Sequence, residues 1–69
     1  MYYEINVALK INGKFYHYFA TAERSIDNEE KAVHIANELQ EMYDNRFGID
    51  NVKITITKWN KVGQEIKAH

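Results

Sequence analysis

The chain has 69 residues, with nine basic side chains against ten acidic ones and a net charge of −1. A chain of this length has room for one core, so we expect a single domain over residues 1–69. The near-neutral charge removes the long-range attraction on which nonspecific nucleic-acid binders depend, and the absence of cysteine excludes disulfides, thiolate nucleophiles and thiolate metal ligands.

An alternation of apolar and polar residues predicts a first strand over residues 3–11. The apolar residues occupy the odd positions: Tyr3, Ile5, Val7, Leu9 and Ile11. Asn12 and Gly13 follow, and both tolerate the positive φ of a tight hairpin turn. A second run, rich in aromatic residues, spans residues 14–22, so the first half of the chain is predicted to be a β-hairpin.

A helix is predicted over residues 28–47. Asp27 is the expected N-cap, with Glu30 three residues later as its capping-box partner. One apolar stripe at three-to-four spacing is expected to lie on the sheet: Ala32, Ile35, Ala36, Leu39, Met42, Tyr43 and Phe47. Gly48 is expected to end the helix in a left-handed conformation, with Ile49 folding back against the last turn.

A third strand, rich in β-branched residues, is predicted over residues 52–59. A helical crossover makes the second and third strands parallel, with the first strand between them. Residues 64–68 form a weak strand or a frayed tail, and their segment offers only Val62 and Ile66 as large apolar residues. We therefore predict an α+β domain, ββαβ(β), with sheet order 2-1-3 and any fourth strand at the edge.

The predicted core combines apolar residues of the first strand, the helix and the third strand. Ala32 and Ala36 are small enough to let the helix approach the sheet. The large members of this core are Ile5, Val7, Leu9, Ile35, Leu39, Ile54 and Ile56.

The order of hairpin, helix and strand resembles the immunoglobulin-binding domains of streptococcal protein G and protein L. The short Asn12-Gly13 turn and the stop at residues 48–50 add to this resemblance. It is topological, spans most of the chain, and implies a β-grasp fold, with the last strand in the sheet centre, as the alternative architecture. A shared fold does not imply a shared function, so immunoglobulin binding is not carried over.

One helix covers one face of a sheet, so the opposite face, called here the open face, is the candidate binding surface. The hairpin register decides which aromatic residues it displays. With a two-residue turn, which the sequence favours, Val7 faces Tyr18 and Ile5 faces Ala20. The open face then displays Phe15, His17 and Phe19. A three-residue loop with a bulge at the glycine instead turns the two phenylalanines inward and the tyrosines at 16 and 18 outward.

The candidate binding residues in the favoured register come from the second and third strands. They are Phe15, His17, Phe19, Lys53, Thr55, Thr57 and Trp59. Glu30, His34 and Glu38 lie four residues apart on the exposed helix face, but this spacing is common by chance and predicts a solvated face, with no metal site. No cofactor is expected.

The residue inventory does not predict an enzyme. A sheet under one helix offers little concavity, and the sequence has no glycine-rich phosphate loop or Ser-His-Asp arrangement in a suggestive context. The preferred hypothesis is a noncatalytic protein-interaction module, such as a phage or mobile-element regulator or inhibitor, that acts through the open face. The alternative is a nucleic-acid-binding accessory protein that uses the same aromatic and lysine side chains.

The partner is expected to be an unidentified protein, a second copy of the chain, or both. The nine aromatic residues are more than one helix can shield, which predicts a homodimer formed through open faces or exposed edge strands, with Trp59 at or near the contact. Nucleic acid is the less favoured partner. The sequence predicts neither a signal peptide nor a membrane span, and a cytoplasmic location in a bacterium or its phage fits the composition best.

Overall fold

The computed structural model describes residues 1–60 and 65–66. The strands are β1 (Tyr2–Ile11), β2 (Lys14–Glu23), β3 (Val52–Trp59) and the two-residue β4 (Glu65–Ile66), and the helix is α1 (Glu29–Phe47). The sheet order is β2-β1-β3-β4, and each neighbouring pair is antiparallel. The predicted α+β fold and its 2-1-3 order are confirmed, and the β-grasp alternative is not needed. The rest of the segment predicted as a last strand lies outside the described residues.

The hairpin turn has two residues, as the favoured register requires. Asn12 and Gly13 have φ angles of 51° and 83°, and Ile11 pairs with Lys14 across the turn. Positive φ at both central residues matches the right-handed twist of the flanking strands, which is why this residue pair closes hairpins well. The three-residue loop is therefore not formed.

Beyond His17 the predicted register is wrong, because β2 contains a β-bulge. Ala8 pairs with His17, but Val7 pairs with Phe19, so Tyr18 is an extra residue. At a bulge two residues of one strand oppose a single residue of the other, and every later pair is shifted by one position. Ile5 consequently faces Thr21 and not Ala20.

The helix begins at Glu29 with Asn28 as its N-cap, one residue later than predicted. The Asn28 side chain, on an extended backbone, accepts a 2.8 Å hydrogen bond from the Lys31 amide. Asp27 instead accepts a 3.0 Å hydrogen bond from the Lys31 ammonium, and this contact lowers the pKa of the Asp27 carboxyl. Asn and Asp are equally good caps, so the sequence alone could not choose between these neighbours.

Gly48 ends the helix with φ 100° and ψ 142°, and its amide donates to the Asp44 carbonyl at 2.9 Å. The prediction that Ile49 folds back is wrong, because Ile49 is exposed. The Asn51 side chain covers this helix end instead, since its Nδ2 donates to the Phe47 carbonyl at 2.8 Å. A short 3-10 turn over Ile49–Asn51 then leads into β3.

The core lies between α1 and the odd positions of β1. Ile5 and Val7 are fully buried. Ile5 belongs to one core cluster and Val7 to a second, and Leu39 and Ile54 pack against both clusters. The other members are Tyr3, Ile26, Ala32, Ile35 and Ala36 in the first cluster and Leu9, Tyr43, Phe47 and Val52 in the second.

Two residues predicted to be buried are exposed instead. Ile56 pairs with Ile5 but lies beside Glu29, the first residue of the helix. The helix continues away from Ile56, so none of its turns covers this side chain. Met42 belongs to the predicted stripe, but its neighbour Tyr43 takes the position facing the sheet. The helix therefore covers a narrower strip of sheet than its apolar stripe predicts.

Leu39→Ala is expected to lower the free energy of unfolding by about 2–5 kcal/mol, because Leu39 packs against both clusters and the cavity would not close fully. Urea denaturation of the purified chain measures this loss. The control is Val33→Ala, on the exposed part of the same helix, which should change stability by less than about 0.5 kcal/mol. Equal effects of the two substitutions would contradict the assigned helix face.

Gly48→Ala is expected to destabilise the fold by about 2–3 kcal/mol, because its φ and ψ lie in a region that side chains rarely adopt. A Cβ there would also lie 2.9 Å from Asn51 Nδ2 and disturb the helix end. Gly13→Ala is the control: its φ is also positive, but a Cβ would have nothing within 4 Å. Gly13→Ala should cost about 1 kcal/mol in the same urea titration; a larger loss at Gly13 would argue against the described helix end.

Candidate functional site

The open face is built by the even positions of β1 and the residues paired with them. Residues directly opposite each other in antiparallel strands point to the same side of the sheet. The β3 residues Lys53, Thr55, Thr57 and Trp59 pair with Ala8, Asn6, Glu4 and Tyr2. On the other side of β1, Phe15 pairs with Lys10 and His17 with Ala8. The structure thus brings all but one of the predicted binding residues onto the face away from the helix.

Phe19 is the exception, and its predicted position on the open face is wrong. It pairs with Val7, whose side chain is fully buried beneath the helix. The bulge at Tyr18 causes this change, because the extra residue turns Phe19 to the helix side. Ala20, which the prediction placed opposite Ile5, pairs with Asn6 on the open face instead.

The end of the open face next to the hairpin turn combines aromatic and basic groups. The Lys53 ammonium lies 5.9 Å from the centre of the Phe15 ring, a distance at which a cation is attracted by the ring face. Lys10 and His17 lie on the same side, next to Phe15 and Ala8 respectively. This end, which we call the hairpin end, can contact an aromatic, apolar or acidic group.

The middle of the open face is small and polar. Asn6 Nδ2 donates to the Glu4 carboxylate at 3.2 Å. The neighbours of these two residues on the flanking strands are alanines and threonines: Ala20, Ala22, Thr55 and Thr57. The open face is therefore not one continuous aromatic surface.

The far end of the open face holds Tyr2 and Trp59, which pair across the strands. The Arg24 guanidinium lies 5.5 Å from the centre of the Tyr2 ring. Trp59 is partly buried, and its indole Nε1 is buried without a hydrogen-bond partner in the described part of the chain. Trp59 is thus less accessible than the sequence predicted.

The largest aromatic exposure lies along β2, an edge strand of ten residues. Phe15, Tyr16, Tyr18 and Phe19 retain 43%, 52%, 48% and 40% of their surface. The helix packs on β1 and β3, and on β2 the contact is made by Tyr18, whose ring packs edge-on against Tyr43 and Phe47 at centroid distances of 5.8 and 5.7 Å. The helix side of β2 is consequently a second exposed surface.

Sequence reasoning missed this second surface because it treated the helix side of the sheet as fully covered. The known width of a helix and the known spacing of strands would have indicated this surface. A helix is about 10 Å wide and strands lie about 4.8 Å apart, so one helix covers about two strands. An edge strand with aromatic residues at adjacent positions then exposes some of them on either face.

The exposed helix face carries no site that the geometry supports. His34 Nε2 lies 3.1 Å from a Glu38 carboxylate oxygen, and both side chains are well exposed. Within the described residues, no group of three or more His, Cys, Asp or Glu side chains could hold a metal ion. The described helix is also not long and apolar enough to cross a bilayer.

Comparisons with protein-family models, with curated proteins and with solved structures find no match for this chain. A function therefore has to be argued from its own surfaces. Two of these stand out, the hairpin end of the open face and the exposed aromatic strand β2.

Phe15→Leu is expected to shift the Lys53 Hε proton resonances downfield, because the ring that shields them is removed. Proton NMR of the folded protein measures the shift. Phe19→Leu is the control and should leave these resonances in place, since Phe19 lies on the helix side. A shift with Phe19→Leu and none with Phe15→Leu would contradict the bulged register.

Proposed function

We propose that this chain is a noncatalytic protein-interaction module that contacts its partners through the hairpin end of the open face and the adjoining strand β2. Such modules act as regulators or inhibitors by occupying a surface of another protein. We further propose that the chain associates with itself as a homodimer. The observation that carries the proposal is the run of large aromatic side chains left exposed along one edge strand.

Protein interfaces are enriched in aromatic residues and Met, with a polar rim around them. The hairpin end fits this composition, since Phe15 is flanked by the charged side chains of Lys10 and Lys53. A few interface residues supply most of the binding energy, and tyrosine is enriched among them, in well-packed, desolvated pockets. An edge strand adds unpaired backbone groups that another strand can satisfy.

A second candidate function is binding of single-stranded nucleic acid through the open face. It is favoured by the local charge, because Lys10, Lys53 and Arg24 lie on or beside this face. Bases could stack on Phe15 while the lysines contact phosphates. The net charge of −1 makes this the weaker candidate.

A photo-crosslinking amino acid at Phe15 is expected to form adducts with protein when the chain is made in its natural host. The matched control is the same amino acid at Val33, a helix residue of nearly equal exposure, 42% against 43%. Adducts at position 15 alone, formed at about 1 M salt and unaffected by nuclease, would support the proposal, because apolar association survives salt that screens phosphate contacts.

Two results would count against it. Equal adducts from both positions would show that the hairpin end has no special role. Adducts that disappear at high salt or after nuclease treatment would assign the surface to nucleic acid.

A further inference from the structure

We propose that the self-association occurs by antiparallel pairing of two β2 edges, which joins the sheets of two copies into one. The inference rests on the proposed homodimer and specifies its surface and its register. A two-fold axis would pass between Tyr18 and Phe19, at the bulge. Three features of β2 favour this pairing: the direction of its outward backbone groups, the spacing set by the bulge, and the side chains that would face each other.

The backbone groups that point outward from β2 follow from the hairpin. Residues next to a two-residue turn form a hydrogen-bonded pair, and bonded and non-bonded pairs then alternate along the ladder. Tyr3 supports this assignment of the bonded pairs, because its amide points toward the β2 side and donates to the Ile26 carbonyl at 2.8 Å. The residues of β2 whose amides and carbonyls point outward are therefore Phe15, His17, Ala20 and Ala22.

The bulge makes this edge match a second copy of itself. Outward groups normally recur at every second residue, but here His17 and Ala20 are separated by a step of three. A regular strand added to this edge would lose its register at that step. A second copy carries the same step at the centre of the pairing, so all outward groups of both strands can bond.

The same pairing brings together side chains of complementary size. On the open face Phe15 would lie opposite Ala22 of the partner subunit, and His17 opposite Ala20 of the partner subunit. In each pair a large ring faces a methyl group, so the rings have room to lie flat across the joint. Opposite residues in such a ladder point to the same face, and the bulge is what keeps this true on both sides of the axis.

The helix side shows complementary charge as well as apolar contact. Lys14, which pairs with Ile11, would lie opposite Glu23 of the partner subunit, and symmetry makes this contact twice. Near the axis Tyr18 would lie opposite Phe19 of the partner subunit. These rings are 48% and 40% exposed in one chain, and the pairing would bury them against each other.

The helices leave room for the joint. Because α1 lies over β1 and β3, the axes of the two helices would be on the order of 20 Å apart, from strand spacings of about 4.8 Å. Each helix is about 10 Å wide, so a trough remains between them above the two β2 strands. The rings of Tyr18 and Phe19 lie on this side of the sheet and would line the trough. A recess lined by Thr21 of β2 and Ile35 of α1 already separates the helix from β2 in one chain.

Sedimentation of the full chain over a concentration series is expected to show a monomer–dimer equilibrium. Ala20→Pro should weaken the dimer by about 100-fold, because proline removes an outward amide and its ring blocks the edge. Edge positions whose amides face solvent tolerate proline, so the monomer should stay folded by circular dichroism. A monomer at all concentrations would overturn both the homodimer and this pairing.

A dimer that Ala20→Pro leaves intact would overturn the pairing alone and leave the homodimer standing on another surface. Charge reversal provides a test that does not depend on proline. Lys14→Glu should weaken the dimer by about tenfold, since both symmetric contacts between positions 14 and 23 would then bring two negative charges together. The double variant with Glu23→Lys should restore wild-type affinity to within about threefold.

This rescue can only occur between two chains. Lys14 and Glu23 are the first and last residues of β2 and are separated by about 30 Å in an extended strand. The matched control is Lys58→Glu, which reverses a lysine on β3 away from the proposed joint. Loss of the dimer with Lys58→Glu, or failure of the double variant to restore it, would overturn the pairing.

Discussion

The width of one helix relative to one sheet is the constraint on which this structure depends. α1 lies over β1 and β3, where its contacts bury Ile5 and Val7 completely. The strand on the far side of β1 receives little of this cover. The residues of β2 are therefore exposed whatever their type, and several of them are aromatic. The free surfaces of the molecule follow from this geometry.

The bulge at Tyr18 adjusts β2 to that constraint. It turns Phe19 to the helix side next to Tyr18, whose ring packs against Tyr43 and Phe47. It also divides β2 into two halves whose side chains alternate out of phase with each other. The half next to the turn places Phe15 and His17 on the open face, and the other half places Ala20 and Ala22 there. One extra residue thus sets both the packing and the free edge.

The sequence was sufficient to predict the order of elements, because each strand and the helix has its own periodicity and the Asn12-Gly13 turn is a strong local signal. The central place of β1 followed from its hairpin with β2 and from the helical crossover, which makes β2 and β3 parallel with β1 between them. The bulge could not be predicted in the same way. Residues 15, 16, 18 and 19 are all large and aromatic, so either phase of alternation reads equally well through them. Packing against Tyr43 and Phe47 places Tyr18 on the helix side, but the alternation does not show that Phe19 lies on that side as well.

The candidate surface was predicted better on β3 than on β2 for the same reason. Lys53, Thr55 and Thr57 alternate with isoleucines, so their face is unambiguous. Phe19 was misplaced because its face depends on a residue inserted earlier in the strand. The exposure of Met42 and Ile56 depends on where the helix begins and how much sheet it covers, which are tertiary properties. Composition and charge limited the function classes but contained no information about a particular partner.

The position of β1 in the sheet also has a consequence during synthesis. β1 and β2 meet through a two-residue turn, so their hairpin can form within about 1–10 μs once both strands have emerged. The helix and β3 that cover its apolar face are encoded later in the chain. At about 5–20 residues per second, the ribosome needs a few seconds to add them. For that interval Ile5, Val7 and the rings of β2 are exposed together, so the nascent hairpin is the stage at which this chain most needs chaperone protection.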